Sequence, residues 1–169
     1  MKKLFGILLI LVVQSGLIYA QEKPLTIILL RHAEKENDGT KDPALSEKGK
    51  QFAQKISSVL AEVRIDAAYS TSYKRTNQTI AQLAAKNQVA VKTYDPSKSN
   101  ELIREIERSG NKTIVISGHS NTVNLIYNLL IKDNPIKELG DDEYRKVFII
   151  TYDPAAPSKS TALKLDLNP

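Results

Sequence analysis

The chain has 169 residues, a formal net charge of +5 and no cysteine. The lack of cysteine excludes disulfides, a thiol nucleophile and a cysteine-ligated metal. Lysine and arginine are scattered among glutamate and aspartate, which is typical of a mixed solvated surface and argues against a nucleic-acid partner.

The N-terminal segment has the layout of a secretory signal peptide. It starts with two lysines after Met1, continues with an almost wholly apolar stretch over residues 4–13, and offers Ala20 as a small residue for cleavage. The apolar stretch is short for a transmembrane helix, which needs about 20 apolar residues. We therefore predict a signal peptide over residues 1–20 and a periplasmic or secreted domain over 21–169, with no stable membrane insertion after cleavage. The alternative is an uncleaved N-terminal anchor.

The first predicted elements of the domain are a strand and a helix. Residues 26–30 form a β-branched and leucine-rich run, typical of a strand buried on both faces. After a polar loop over 34–44, Ser46 is expected to cap a helix that reaches residue 63. The apolar positions of this helix recur at helical spacing; they are Phe52, Ile56, Val59 and Leu60.

The middle of the chain continues the alternation. Residues 65–70 predict a second strand, and Ser72 is expected to cap a helix over 73–86. A strand over 89–94 and a shorter helix over 100–108 follow. Each apolar run is bounded by turn-forming residues, as expected of elements in one packed domain.

The last third of the chain predicts one more buried strand over 113–117 and then a helix that Ser120 or Asn121 caps. Two closing strands are expected over 147–152 and 161–165. Strands that alternate with helices predict an α/β fold, here a three-layer α/β/α sandwich around a mostly parallel sheet. The core positions expected in the last helix are Val123, Leu125, Ile126, Leu129 and Leu130.

Both histidines of the chain follow apolar runs. Arg31 and His32 stand at the end of the first predicted strand, and His119 follows the strand over 113–117. Arg75 lies one turn into the helix after the second strand. Because ligands of open α/β sheets bind at the carboxyl ends of the strands, these four side chains are expected to meet at one edge. A single histidine or arginine is more often structural, but this set is typical of a phosphoryl-transfer site.

Four segments in order resemble the histidine phosphatase superfamily, whose fold is phosphoglycerate-mutase-like. They read LLRHAEK, LSEKGKQ, STSYKRTNQT and ISGHSNT, and the resemblance runs over residues 26–131. It implies that His32 is the nucleophile, which forms a transient phosphohistidine. It also implies that Arg31 and Arg75 bind the phosphoryl oxygens and that His119 donates to the phosphoryl group.

The proton donor for the leaving group stays open at this point. In many members of the superfamily an acidic residue after the third strand does this work, and Asp95 stands at the end of the strand over 89–94. Asp95 is therefore the preferred donor, with Glu101, Glu34 or no acidic residue at all as alternatives. No cofactor or metal is expected, because two histidines without matching carboxylate spacing make a poor ligand set.

The resemblance and the predicted export together indicate a function. We expect an exported, metal-independent phosphomonoesterase of the histidine acid phosphatase type, which acts on a phosphorylated small molecule, glycan or protein. The short stretch between Arg75 and His119 leaves no room for a deep lid, which favours hydrolysis over a mutase reaction. The alternative is a phosphate-binding module on the same fold that does not turn over its ligand.

Overall fold

The computed structural model describes residues 24–167, so the predicted signal peptide lies outside the described residues. Within that range strands and helices alternate, and two short 3-10 turns (Pro96–Lys98 and Pro157–Lys159) interrupt the connections. No helix in this range is long and apolar enough to cross a membrane. The elements in chain order are β1 (Leu25–Arg31), α1 (Glu47–Val59), β2 (Ala67–Ser70), α2 (Lys74–Lys86), β3 (Val91–Thr93), α3 (Ser99–Arg108), β4 (Thr113–Gly118), α4 (Ser120–Leu130), β5 (Lys146–Tyr152) and β6 (Thr161–Asp166).

The six strands form one mixed sheet in the order β3-β2-β4-β1-β5-β6. The pairs β3–β2, β2–β4 and β4–β1 are parallel, whereas β5 and β6 close the sheet as antiparallel strands. The prediction of a mostly parallel α/β sheet is confirmed. Because β4 is inserted between β1 and β2, the carboxyl ends of β1 and β4 are neighbours at the centre of the sheet.

Alternate residues of β1 pack on opposite faces of the sheet. Ile27 and Leu29 belong to the core under α3 and α4, and Ile28 and Leu30 belong to the core under α1 and α2. All four side chains are buried, and each large apolar side chain removed from water contributes roughly 1.5–3 kcal/mol. The expectation that this strand is buried on both faces is confirmed, as are the three layers.

Two of the predicted helix caps are wrong. Ser46 caps α1 as predicted, with its Oγ accepting from the Gly49 N–H at 3.2 Å. The N-cap of α2 is Tyr73 instead of Ser72, and the first N–H of the helix donates to the Asp42 carboxylate at 2.9 Å. The N-cap of α4 is His119 itself, so Ser120 and Asn121 lie inside the helix. A cap supplied from a distant loop, such as that of Asp42, has no local sequence signal.

One predicted core position is also wrong, and one apolar position of the α1 pattern is exposed. Val59 is 53% exposed, because α1 ends there and Leu60 turns into the core instead. Leu125 is 52% exposed, because it projects away from the apolar stripe of α4. That stripe recurs at helical spacing and consists of Val123, Ile126, Tyr127 and Leu130.

Candidate active site

The structure brings Arg31, His32, Arg75 and His119 together at the carboxyl edge of the sheet. β1 and β4 run parallel in a register that pairs Arg31 with Gly118, so each histidine follows the end of one of two neighbouring strands. The two imidazole ring centroids lie 5.4 Å apart, with the ring planes at 69°. The catalytic and binding roles assigned to these residues stay predictions.

His32 is buried and held in one tautomer. Its Nδ1 lies 2.7 Å from the carbonyl oxygen of Ala33. A carbonyl only accepts hydrogen bonds, so Nδ1 of the neutral ring carries the proton and Nε2 carries the free lone pair. Burial lowers the pKa of His32 to about 3 against the opposing bond to Ala33, and the nearby His119 and the two arginines lower it further. At neutral pH the ring is therefore uncharged and its Nε2 is available as a nucleophile.

The residue after His32 is tied to helix α2. The Ala33 N–H donates to Thr79 Oγ1 at 2.9 Å, and the Thr79 hydroxyl donates to the carbonyl of Arg75 at 2.7 Å. Thr79 therefore connects the backbone beside His32 to the turn of α2 that carries Arg75. These two hydrogen bonds connect the segment that carries His32 to the segment that carries Arg75, although the two lie far apart in the sequence.

His119 is partly buried, and a chain of two threonine hydroxyls holds its ring. Its Nε2 lies 2.9 Å from Thr71 Oγ1, which lies 2.8 Å from Thr76 Oγ1. The Thr76 hydroxyl donates to the Tyr73 carbonyl at 2.8 Å, so Thr71 donates to Thr76 and accepts from the Nε2–H of His119. Burial, followed by the charges of the two arginines, lowers the pKa of His119 to about 4.

Both arginines keep donors without a protein partner. Arg31 Nη1 donates to the carbonyl of Gly140 at 2.6 Å and also approaches that of Asp141 at 3.3 Å. Arg31 Nε, Arg75 Nε and Arg75 Nη1 are buried, and within the described chain they have no hydrogen-bond partner. The nearest ion-pair partner of Arg75 is the Asp42 carboxylate, at 3.8 Å from Nη1. A buried donor left unpaired costs about 1–3 kcal/mol, and more when it is charged, so the oxygens of an anion would satisfy these groups.

An open cavity of about 270 Å³ lies beside this cluster, and its volume is large enough for a phosphate group. Arg75 and His119 line it together with Tyr73, Pro96 and the start of α4. Helix α4 begins directly after His119, so its N-terminal amides favour an anion at this place. Among residues 24–167, no group of three or more His, Asp and Glu side chains is gathered for a metal ion.

Each of the three acidic candidates has its hydrogen-bond or ion-pair partner elsewhere in the described chain, and none of these partners is a histidine. Asp95 is exposed and caps the turn that follows it, accepting from the Ser97 N–H and hydroxyl at 2.9 and 2.7 Å. These bonds lower the pKa of Asp95, so the carboxylate is ionised at neutral pH. Glu101 is exposed and lies 3.6 Å from Lys98, and Glu34 is paired with Arg145 at 3.2 Å.

Two tyrosines complete the cluster, and the sequence motifs did not predict either in this role. The ring centroid of Tyr73 lies 5.1 Å from that of His119, and the ring centroid of Tyr144 lies 5.7 Å from that of His32. Tyr144 comes from the polar loop before β5, far from any motif in the sequence. Only the position of Tyr73, two residues before Arg75, offered a sequence signal.

Comparison with known proteins identifies similar sequences and folds. The family model of the histidine phosphatase superfamily (branch 1) matches residues 27–96. Phosphoserine phosphatase 1 of Hydrogenobacter thermophilus is 40% identical over 73 residues, which cover 39% of this chain and 35% of that protein. The matched segment thus spans about a third of this relative.

Solved structures of phosphatases share the fold over most of the chain. The protein histidine phosphatase SixA in complex with tungstate aligns with a TM-score of 0.69 and 13% identity, covering 84% of this chain and 97% of that chain. A mycobacterial glucosyl-3-phosphoglycerate phosphatase aligns with a TM-score of 0.60 and 12% identity, covering 76% and 90%. The putative phosphohistidine phosphatase SixA from Agrobacterium tumefaciens aligns with a TM-score of 0.62 and 17% identity, covering 83% and 97%.

Proposed function

Because this chain belongs to the histidine phosphatase superfamily, we propose that it hydrolyses phosphomonoesters through a phosphohistidine on His32. The observation that carries the proposal is the state of His32: its Nδ1 proton is bound to the Ala33 carbonyl, and its low pKa leaves Nε2 unprotonated. If the imidazole of His32 were buried only for packing, it would not require two neighbouring arginines whose N–H groups lack hydrogen-bond partners.

In the first step, the lone pair of His32 Nε2 forms a bond to phosphorus while the bond between phosphorus and the ester oxygen breaks. The Nδ1 proton stays on the ring, so the phosphorylated imidazole is cationic and its bond to the Ala33 carbonyl strengthens. The unpaired N–H groups of Arg31 and Arg75 bind the phosphoryl oxygens and stabilise the charge that develops on them. A phosphoryl oxygen competes with Thr71 for the Nε2–H of His119.

In the second step, water attacks phosphorus, the bond to Nε2 breaks with its electron pair returning to the ring, and inorganic phosphate is released. The departing alkoxide or phenoxide of the first step takes its proton from water, since Asp95 is ionised and engaged with Ser97. This suits substrates with good leaving groups, which need little acid assistance.

Two further parts of the proposal concern metal and pH. The positive charge that a metal would supply at the phosphoryl oxygens comes here from two guanidinium groups, which supports a metal-independent reaction. The low pKa of His32 keeps the nucleophile unprotonated in the acid range, which supports activity of the acid phosphatase type. Export of the domain to the periplasm or medium rests on the pattern of residues 1–20.

The substrate is proposed as a class. The similar proteins include a phosphoserine phosphatase, a protein histidine phosphatase and a glucosyl-3-phosphoglycerate phosphatase. Because these substrates differ in size and chemistry, the proposal covers a phosphorylated small molecule, glycan or protein.

One observation favours a second function, a phosphate-binding module without turnover. The carboxylates of Asp95, Glu101 and Glu34 are engaged with Ser97, Lys98 and Arg145, so none of these three candidates in the described chain is free to assist the departure of an alkoxide. Such a module would bind phosphate through the arginines but would form no bond to His32.

Hydrolysis of an aryl phosphomonoester by the purified protein, with a chelator present, tests the proposal. We expect phosphate release that His32→Ala lowers by at least about a thousandfold, whereas the control Glu62→Gln, at an exposed residue outside the site, retains it. Quenching with a labelled substrate is expected to trap a phosphoenzyme that is labile in acid and stable in alkali. Phosphate binding without turnover in the wild-type protein would favour the binding module instead.

A further inference from the structure

Each arginine of the site lies over the face of a tyrosine. The Cζ atom of Arg75 lies 4.3 Å from the ring centroid of Tyr73, and the Cζ atom of Arg31 lies 4.1 Å from that of Tyr144. Both distances are within the range of about 6 Å in which a guanidinium is attracted by an aromatic face. The site thus contains two Arg–Tyr pairs contributed by separate parts of the chain.

Each tyrosine also contacts one of the two histidines. Tyr73 meets His119 edge to face, with ring planes at 90° and centroids 5.1 Å apart. Tyr144 meets His32 at 5.7 Å with a tilt of 52°. The cluster therefore consists of two triplets, and in each a tyrosine contacts one arginine and one histidine.

The loop that carries Tyr144 holds Arg31 in two ways. The carbonyl of Gly140 accepts from Arg31 Nη1 at 2.6 Å, and the Tyr144 ring covers the face of the same guanidinium. The turn between them is braced, because the Glu143 N–H donates to the Gly140 carbonyl at 3.1 Å and the Glu143 carboxylate accepts from the Gly140 N–H at 2.7 Å. One short turn thus supplies both the carbonyl that accepts from the Arg31 guanidinium and the aromatic ring that stacks on its face.

We propose that Tyr73 and Tyr144 are positioning residues of the phosphate site, each holding one arginine by its face so that in-plane donors, Nε and Nη1 of Arg75 and Nε of Arg31, stay free for phosphate. The proposal rests on the proposed function for the identity of the ligand. A guanidinium presents all five N–H donors in its plane, and an aromatic ring stacked on its face consumes none of them. A carboxylate that oriented the same arginine would take two donors and much of the charge.

The N–H donors without a hydrogen-bond partner agree with this proposal, in which the tyrosine ring contacts only the face of the guanidinium. Arg75 keeps both Nε and Nη1 without a hydrogen-bond partner among residues 24–167, although the group is largely buried and stacked on Tyr73. Its ion pair with the Asp42 carboxylate, at 3.8 Å from Nη1, is too long to be a hydrogen bond. Arg31 keeps Nε unpaired while Tyr144 covers its face. The tyrosine hydroxyls take no part in these contacts, so the phenyl ring alone accounts for the positioning.

Titration of the wild-type protein and four variants with inorganic phosphate tests the proposal without any need for turnover. The chain contains only two histidines, so their imidazole NMR signals report binding at the site directly. Tyr73→Leu and Tyr144→Leu are expected to raise the Kd for phosphate about 3- to 30-fold, the range of a stacking contact of this kind. Tyr73→Phe and Tyr144→Phe keep the ring and are expected to bind phosphate like the wild type.

A double-mutant cycle identifies which arginine each ring serves. Tyr144→Leu is expected to lose its effect on phosphate binding in an Arg31→Gln background and to keep it in an Arg75→Gln background. Tyr73→Leu is expected to show the opposite dependence. Methionine variants replace any leucine variant that melts well below the wild type, since the flexible methionine side chain fills an irregular gap better than leucine and still lacks the aromatic face.

Four results would overturn the proposal. Phenylalanine variants that bind as weakly as the leucine variants would assign the effect to the hydroxyl groups, and leucine variants that bind like the wild type would remove any positioning role. Effects that persist equally in both arginine backgrounds would point to general packing. If the wild type binds phosphate but does not turn over a substrate, the proposed function fails, and these titrations still test the positioning role. If the wild type binds no phosphate, both the proposed function and the positioning role fail.

Discussion

The backbone N–H of His32 donates to the carbonyl of Gly118 at 2.8 Å. This bond continues the parallel β1–β4 ladder by one rung beyond the pairing of Arg31 with Gly118. It ties the backbone of the proposed nucleophile to the residue that precedes the second histidine. The spacing of the two imidazoles is therefore set by sheet register, which is among the most rigid relationships that a fold offers.

Gly118 has no room for a side chain. A Cβ atom at this position would lie 2.5 Å from Thr122 Oγ1 and 2.8 Å from the Tyr94 hydroxyl. Thr122 Oγ1 accepts from the His119 N–H at 2.7 Å, so Gly118→Ala is expected to disturb the start of α4. We expect a loss of about 1–3 kcal/mol in the free energy of unfolding and at least a tenfold loss of kcat/KM, measured by urea denaturation and aryl phosphate hydrolysis.

Gly110 offers the matched control for that substitution. It has a positive φ of 71°, and a Cβ atom at this position would meet nothing within 4 Å. Asparagine tolerates this backbone region. Gly110→Asn is therefore expected to change stability by less than about 1 kcal/mol and to leave activity intact. Equal losses in the two glycine variants would contradict the steric argument for Gly118.

The two histidines are expected to make the protein less stable as the pH falls. Their pKa values of about 3 and about 4 lie below the ordinary value of 6.5. Between about pH 4 and 6.5 the unfolded chain binds protons that the folded state does not, so the free energy of unfolding decreases with falling pH, by up to about 1.4 kcal/mol per pH unit for each histidine. That contribution is fully present above pH 6.5.

Urea denaturation between pH 4 and 7 measures this dependence, and a His32→Gln variant provides the comparison. The variant lacks one of the two depressed groups, so its stability is expected to fall less steeply with pH. Imidazole NMR signals that titrate near pH 6.5 in the folded protein would be incompatible with neutral, buried rings.

Thr71 is expected to control the state of His119. Its hydroxyl accepts from the His119 Nε2–H and is itself buried. Thr71→Val keeps the shape but removes the acceptor, and leaving a buried donor unpaired costs about 1–3 kcal/mol. We expect altered ¹⁵N chemical shifts of the His119 ring and a drop in kcat/KM, and Thr71→Ser is expected to restore both. A valine variant with wild-type shifts would show that the hydroxyl chain does not hold the ring.

Asp95 is expected to contribute little to protonation of the leaving group. Its carboxylate is exposed and accepts two bonds from Ser97, which lower its pKa. Asp95→Asn is therefore expected to change kcat for an alkyl phosphate by less than about threefold, whereas loss of a general acid typically costs about 10²- to 10⁴-fold. The ratio of rates for alkyl and aryl phosphates, compared between wild type and variant, decides between the two roles.

Much of the fold followed from local patterns. The apolar run of β1 predicted burial on both faces, and helical spacing predicted the apolar positions Phe52 and Ile56 of α1, which are buried. Errors arose where a helix ended or where a partner came from far along the chain. Val59 is exposed because α1 ends there. The Asp42 carboxylate accepts from the first N–H of α2, which Ser72 was expected to cap.

The amino-acid sequence by itself determined the α/β class, the superfamily resemblance and the placement of Arg31, His32 and His119 at strand ends. It did so because apolar runs and the polar residues that follow them are properties of short segments. The tertiary structure alone decided that Tyr144 stacks on Arg31 and that Thr71 holds His119. These contacts depend on the order of strands in the sheet and on loop geometry, and no residue pattern within a single segment encodes them.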